Sequence, residues 1–134
     1  MRSRGIHHLG VAVDDLDEAL DTYTRLFGAE LEHRATVPEQ GVEAAAVLVG
    51  NSRVELLAPT GADTPVGKFL AQRGPGMHHV AYEVDDVHAA LSSLTSEGVE
   101  LIDAAPREGL FGLEVAFIHP DSVHGVLAEV VSRA

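Results

Sequence analysis

The chain has 134 residues, enough for one domain that buries roughly two-thirds of its unfolded surface with no disulfide or structural metal. It contains no cysteine, which excludes thiolate metal sites, cysteine nucleophiles and a disulfide framework. Nine Lys and Arg against 21 Asp and Glu give a net charge of −12; this argues against nucleic acid and demands a local cation for any anionic ligand.

The opening residues, MRSRGIHHLG, contain no long apolar run. Neither a signal peptide nor a membrane span is expected, and a cytoplasmic location is the corresponding expectation. Ile6 to Val13 is short, apolar and bounded by acidic turn residues, the pattern of a strand. Asp14 and Asp15 offer N-caps to a helix whose apolar stripe is Leu16, Ala19, Leu20, Tyr23, Leu26 and Phe27. Gly28 stands where a helix-ending glycine belongs. Two strand-like runs, Val42–Val49 and Arg53–Leu57, are joined by Gly50-Asn51-Ser52, a hairpin signal. Within 59–75, Thr64 and Pro65 open a short helix carrying Val66, Phe69 and Leu70, and Gly74 closes it.

The second half of the chain repeats the first. Ile6-His7-His8-Leu9-Gly10-Val11-Ala12-Val13-Asp14-Asp15-Leu16 matches Met77-His78-His79-Val80-Ala81-Tyr82-Glu83-Val84-Asp85-Asp86-Val87 at a constant offset, and Ala19-Leu20 falls on Ala90-Leu91. Asp86 caps a second helix with Val87, Ala90, Leu91 and Leu94 as its stripe and Gly98 as its stop. Leu113–Ile118 and Gly125–Val131 form the second hairpin-like pair, separated by a turn at His119-Pro120-Asp121-Ser122. The fold class expected is α+β, made of tandem βαβββ modules. A single domain is expected, with modules at about 1–60 and 76–134 joined by a helical linker at about 61–75.

Duplication puts His8 and His79 at equivalent positions on the first strand of each half. Side chains alternate along a strand, so His8 shares a face with Gly10 and Ala12, and His79 with Ala81 and Glu83. The last strand of each half carries one carboxylate inside an apolar run, Glu55 and Glu129. A glutamate there is costly to bury unless paired or coordinated. Taken alone, a strand histidine is commonly structural and a strand glutamate commonly solvent-facing. The symmetry-related set of two imidazoles and two carboxylates instead suits a divalent transition metal. His7 and His78 face the other way and read as structural. His33, His88 and His124 read as surface residues and His119 as a turn residue. Glu43, followed by Ala44, Ala45 and Ala46, borders small residues and is a second functional candidate, with Glu39 and Gln40 as competitors.

These residues resemble the vicinal oxygen chelate superfamily, which includes glyoxalase I, extradiol dioxygenases and bleomycin-binding proteins. Over nearly the whole chain the segments IHHLGVAV, VPEQGV, VELLAP, TPVGKFLAQRGPGMHHVAYEVDD and VAFIHPDSVHGVLAE are similar to the methylmalonyl-CoA epimerase family. The resemblance implies tandem modules forming a curved sheet around a metal site, with the metal held by His8, Glu55, His79 and Glu129. It implies Co²⁺ foremost, with Mn²⁺, Ni²⁺ or Zn²⁺ as alternatives. It implies epimerisation of methylmalonyl-CoA through an enolate, with Glu129 as one acid/base and a second carboxylate that falls on Glu43 if a one-residue shift is allowed. Implied partners are a small acyl-CoA substrate and a second copy of the chain in a homodimer. Lys68, Arg73 and Arg107 are candidates for the CoA phosphates. A glyoxalase-type lyase and an extradiol dioxygenase remain the alternatives within the superfamily. A non-enzymatic binder would lack the four metal residues.

Overall fold

The computed structural model describes residues 1–133. It divides into two compact units. The first is His8–His78; the second is Met1–His7 together with the chain from His79 onward. Each is built on the expected plan of strand, helix and further strands.

In the first unit β1 (Gly5–Ala12, its first residues belonging to the second unit) leads to α1 (Leu16–Phe27). The Asp15 side chain caps α1 by accepting from the Glu18 amide at 3.0 Å. Gly28 ends it in the left-handed region at φ 66°, its own amide donating to the Thr24 carbonyl. Then come β2 (Glu30–Val37), β3 (Val42–Val49) and β4 (Ser52–Pro59), and the sheet order is β2-β3-β4-β1, with β4 parallel to β1. The turn between β3 and β4 is the two residues Gly50-Asn51, so that Val49 lies opposite Ser52. One face packs on α1 through Val13, Leu16, Ala45, Val47 and Leu56. The apolar stripe of α1 turns outward at its end: Leu26 and Phe27 are 58% and 60% exposed.

α2 (Pro65–Arg73) starts where expected, with Thr64 Oγ1 accepting from Gly67 N at 3.1 Å and Pro65 in the first turn. Gly67 lies so close to the preceding loop that a Cβ there would meet the Gly61 carbonyl at 2.3 Å.

The second unit contains most of β5 (Gly76–Glu83), then α3 (Val87–Ser96), β6 (Arg107–Glu108), β7 (Glu114–Ile118) and β8 (Ala128–Ser132), with sheet order β5-β8-β7-β6. Asp86 caps α3 through the amides of His88 and Ala89. Val84, Val87, Ala90, Leu91, Ala116, Ile118, Ala128 and Val130 form the core beneath that helix. The N-terminal residues belong here: the Ser3 hydroxyl and the Arg4 amide both donate to the Glu83 carbonyl, at 2.9 and 2.8 Å. The second unit's counterpart of β2 is only two residues long. Leu101 makes an isolated bridge to Ile118, and the chain then runs through Pro106, which has no amide to give a ladder, before β6 begins. Among the described residues no helix is long and apolar enough to cross a membrane.

Candidate metal centre

Strand register sorts each sheet into a helix-packed face and an opposite face. In the first unit Leu56, which packs on the α1 side, pairs with Val11 and Ala45. The alternate residues point the other way. Glu55 pairs with Gly10 on β1 and Ala46 on β3, and His8 shares this face. His8 is 3% and Glu55 7% exposed, with His8 Nε2 and Glu55 Oε2 3.2 Å apart. Burial pushes the His8 imidazole below its usual range, against the pull of Glu55, and Arg53 adds to the lowering. The ring is therefore held neutral, the form that offers a lone pair to a metal.

The second unit repeats this. Glu129 pairs with Ala81 on β5 and Phe117 on β7, on the face away from α3. His79 shares that face, packs edge-on against the Phe117 ring with centroids 5.4 Å apart, and has Nε2 3.7 Å from Glu129 Oε1. Both are 2% exposed. Burial pushes the Glu129 carboxyl up to about 8; Arg107 works against this and Asp103 with it. A cation beside this carboxyl would favour the charged form that burial disfavours.

Each unit's donors suit a divalent cation. A buried nitrogen donor stands beside a buried oxygen donor in both, His8 with Glu55 in the first and His79 with Glu129 in the second. Ligands each about 2.1 Å from one ion and at right angles lie about 3 Å apart. The His–Glu separations of 3.2 and 3.7 Å within the two units are close to that spacing.

Glu43 is placed elsewhere. It lies opposite Ala58, on the α1 face of the first sheet, and so points away from the face that carries Glu55. Its carboxylate meets Arg34 Nε at 3.3 Å, and Arg34 Nη1 meets Asp17 in the first turn of α1 at 2.6 Å. The β3 positions that share the Glu55 face are Ala44 and Ala46. His78 is half-buried, with its ring 5.0 Å from that of Phe69, and burial brings it down to about 4; it is neutral. His33, His88 and His124 are exposed, and the His119 ring accepts from the Asp121 amide in its turn. Lys68 and Arg73 are exposed. Three side chains around Glu129 went unrecognised in the sequence as neighbours of the pair: Phe117, Asp103 and, as anything beyond a surface cation, Arg107. The register of β7 against β8, which puts Phe117 opposite Glu129, was the signal for the first.

Residues 7–117 match the Glyoxalase/Bleomycin resistance protein/Dioxygenase superfamily, and the chain belongs to that superfamily. Its similarity to particular members runs further. It is 38% identical over 129 residues to the mitochondrial methylmalonyl-CoA epimerase of Dictyostelium discoideum, covering 96% of this chain and 78% of that protein. The methylmalonyl-CoA epimerase structure from Mycobacterium tuberculosis is similar at 36% identity and a TM-score of 0.95, covering 98% of this chain and 89% of that one. A methylmalonyl-CoA epimerase solved in complex with methylmalonyl-CoA and NH4+ is similar at 37% identity and a TM-score of 0.96, covering 99% and 96%.

Proposed function

We propose that the chain interconverts the (2R) and (2S) epimers of methylmalonyl-CoA at a site held by His8, Glu55, His79 and Glu129. The observation that carries this reading is the pair of buried His–Glu sets, one on the helix-free face of each unit. The similarity over nearly the whole chain to epimerases supports the substrate. The two histidines and two glutamates would hold a divalent ion, for which Co²⁺ is the first choice and Mn²⁺, Ni²⁺ and Zn²⁺ are the others. Such an ion, when bound, supplies Lewis-acid stabilisation for negative charge developing on the acyl group.

The reaction asks the protein to remove the C2 proton, which lies between a thioester and a carboxylate, and to return a proton to the opposite face. Glu129 is the first acid/base group. It is buried beside His79, and in the metal-free protein burial raises its proton affinity. No nucleophile is required, which agrees with a chain that has no cysteine. The position of Glu43 on the helix face with Arg34 argues against it as the second acid/base group.

Proton NMR in deuterated water tests the reaction. Co²⁺-loaded protein and methylmalonyl-CoA should lose the C2 proton signal, and a chelator should stop the loss. Absence of exchange above background in protein shown to hold the metal would sink the substrate and direct the search to hemithioacetals and catechols.

A further inference from the structure

We propose that Arg107 receives the free carboxylate of the acyl-CoA substrate and so selects a carboxylated acyl group; this rests on the reaction proposed above. Arg107 lies opposite Val115 on β7, and Val115 clusters with Ala81 and Val131 on the sheet face away from α3. That is the face of His79, Phe117 and Glu129. Arg2, Arg4 and Arg133 of the same unit are exposed, and Arg4 is engaged by Asp85. Arg107 is instead withdrawn, with a third of its side chain accessible.

Its guanidinium is anchored. Asp103 Oδ1 lies 3.2 Å from Arg107 Nε, while Asp103 Oδ2 accepts from the Phe117 amide at 2.9 Å. The guanidinium carbon stands 6.0 Å from the centroid of the Phe117 ring, whose edge contact with His79 ties it to the donor set. A carboxylate, a ring and a β-strand amide thus hold one cation beside Glu129. Such a planar fork reads a carboxylate by paired hydrogen bonds, and a pre-held fork loses little entropy on binding. A molecule with net charge −12 repels an anionic substrate at long range, and a local cation offsets that at the point of binding.

The repeat strengthens the assignment. Leu57–Ala44–Ala35 in the first unit is the cross-strand row equivalent to Val131–Val115–Arg107 in the second. Alanine stands in the first copy where arginine stands in the second, so the βαβββ plan itself does not require a cation there. Arg107 serves something the two halves do not share, and the substrate has one carboxylate.

Calorimetric titration of the Co²⁺-loaded protein with methylmalonyl-CoA and with propionyl-CoA, which lacks the carboxylate, tests this. Wild-type protein should bind methylmalonyl-CoA at least tenfold more tightly than propionyl-CoA. Arg107→Met should weaken methylmalonyl-CoA by about 30-fold and leave propionyl-CoA within about twofold, and Arg107→Lys should recover part of the loss. Equal weakening of both thioesters would make Arg107 a structural support and overturn the proposal, as would unchanged affinity for methylmalonyl-CoA. If the wild-type protein binds neither thioester, the substrate reading itself fails, and the role of Arg107 with it.

Discussion

The two halves carry the same buried His–Glu pair and differ in what surrounds it. Around Glu55 the face is made of small residues: Gly10, Ala12, Ala44 and Ala46. Around Glu129 stand Phe117, Val115 and Arg107 with its Asp103 anchor. Duplication therefore accounts for the symmetric donors, and later divergence for an asymmetric setting in which one carboxyl is walled in and raised to about 8. An isolated ion needs only symmetric donors; a chiral substrate with a thioester at one end and a carboxylate at the other needs different surroundings on its two sides.

Parallel substitutions break or sharpen that comparison. Glu129→Gln should lower turnover by about 10³-fold, because it removes a proton acceptor as well as a ligand. Glu55→Gln keeps an oxygen donor in place and should cost only about tenfold, through metal affinity. Exchange at C2 and Co²⁺ titration on both variants measure the two losses; equal losses would mean that the halves contribute alike and that Glu129 has no special role as base.

The helix-packed faces, by contrast, are alike. Leu56, on β4 and fully buried in the α1 side core, and Leu91, on α3 and 5% exposed in the second unit's core, are large apolar residues of the two helix-packed cores. Leu56→Ala and Leu91→Ala should each cost about 3 kcal/mol in urea unfolding. A gap beyond about 2 kcal/mol between them would assign the stability of the fold mainly to one half. Metal comes next in size. Co²⁺ at a hundred times its dissociation constant should stabilise the wild-type protein by about 2.7 kcal/mol, provided the unfolded chain does not bind it. Thermal scans with and without chelator read this, and Glu129→Gln should lose most of the difference.

Much of this arrangement was legible in the chain. The His-His-plus-Asp repeat announced the duplication. Period-two alternation put His8 and His79 on strand faces with small neighbours, and the caps Asp15, Thr64 and Asp86 appear where the sequence indicated. The short β6 was not legible, because Gly98-Val99-Glu100-Leu101 resembles Gly28-Ala29-Glu30-Leu31 in sequence, yet Leu101 makes a single isolated bridge where Glu30 and Leu31 begin an eight-residue strand. Nor was the Asp103–Arg107–Phe117 group, which depends on a loop folding back onto the sheet.

At Glu43 one residue of register decides which face a side chain takes. If Gly50-Asn51-Ser52 were the whole link, Val49 would face Arg53, Glu55 would face Val47, and Glu43 would share the Glu55 side. The observed two-residue turn pairs Val49 with Ser52 instead and puts Ala46 opposite Glu55. That one-residue change in register moves Glu43 to the helix face. There it pairs with an arginine that also holds Asp17, partly in contact with solvent. Glu43→Gln should therefore leave C2 exchange within about threefold of wild type and cost less than about 1 kcal/mol of stability. The parallel change Ala44→Glu places a carboxylate on the face that carries Glu55, and it should alter exchange more than loss of Glu43 does. If Glu43→Gln instead abolished exchange in protein that still held metal, the face assignment of β3 would be wrong, and the second proton-transfer group would be Glu43 after all.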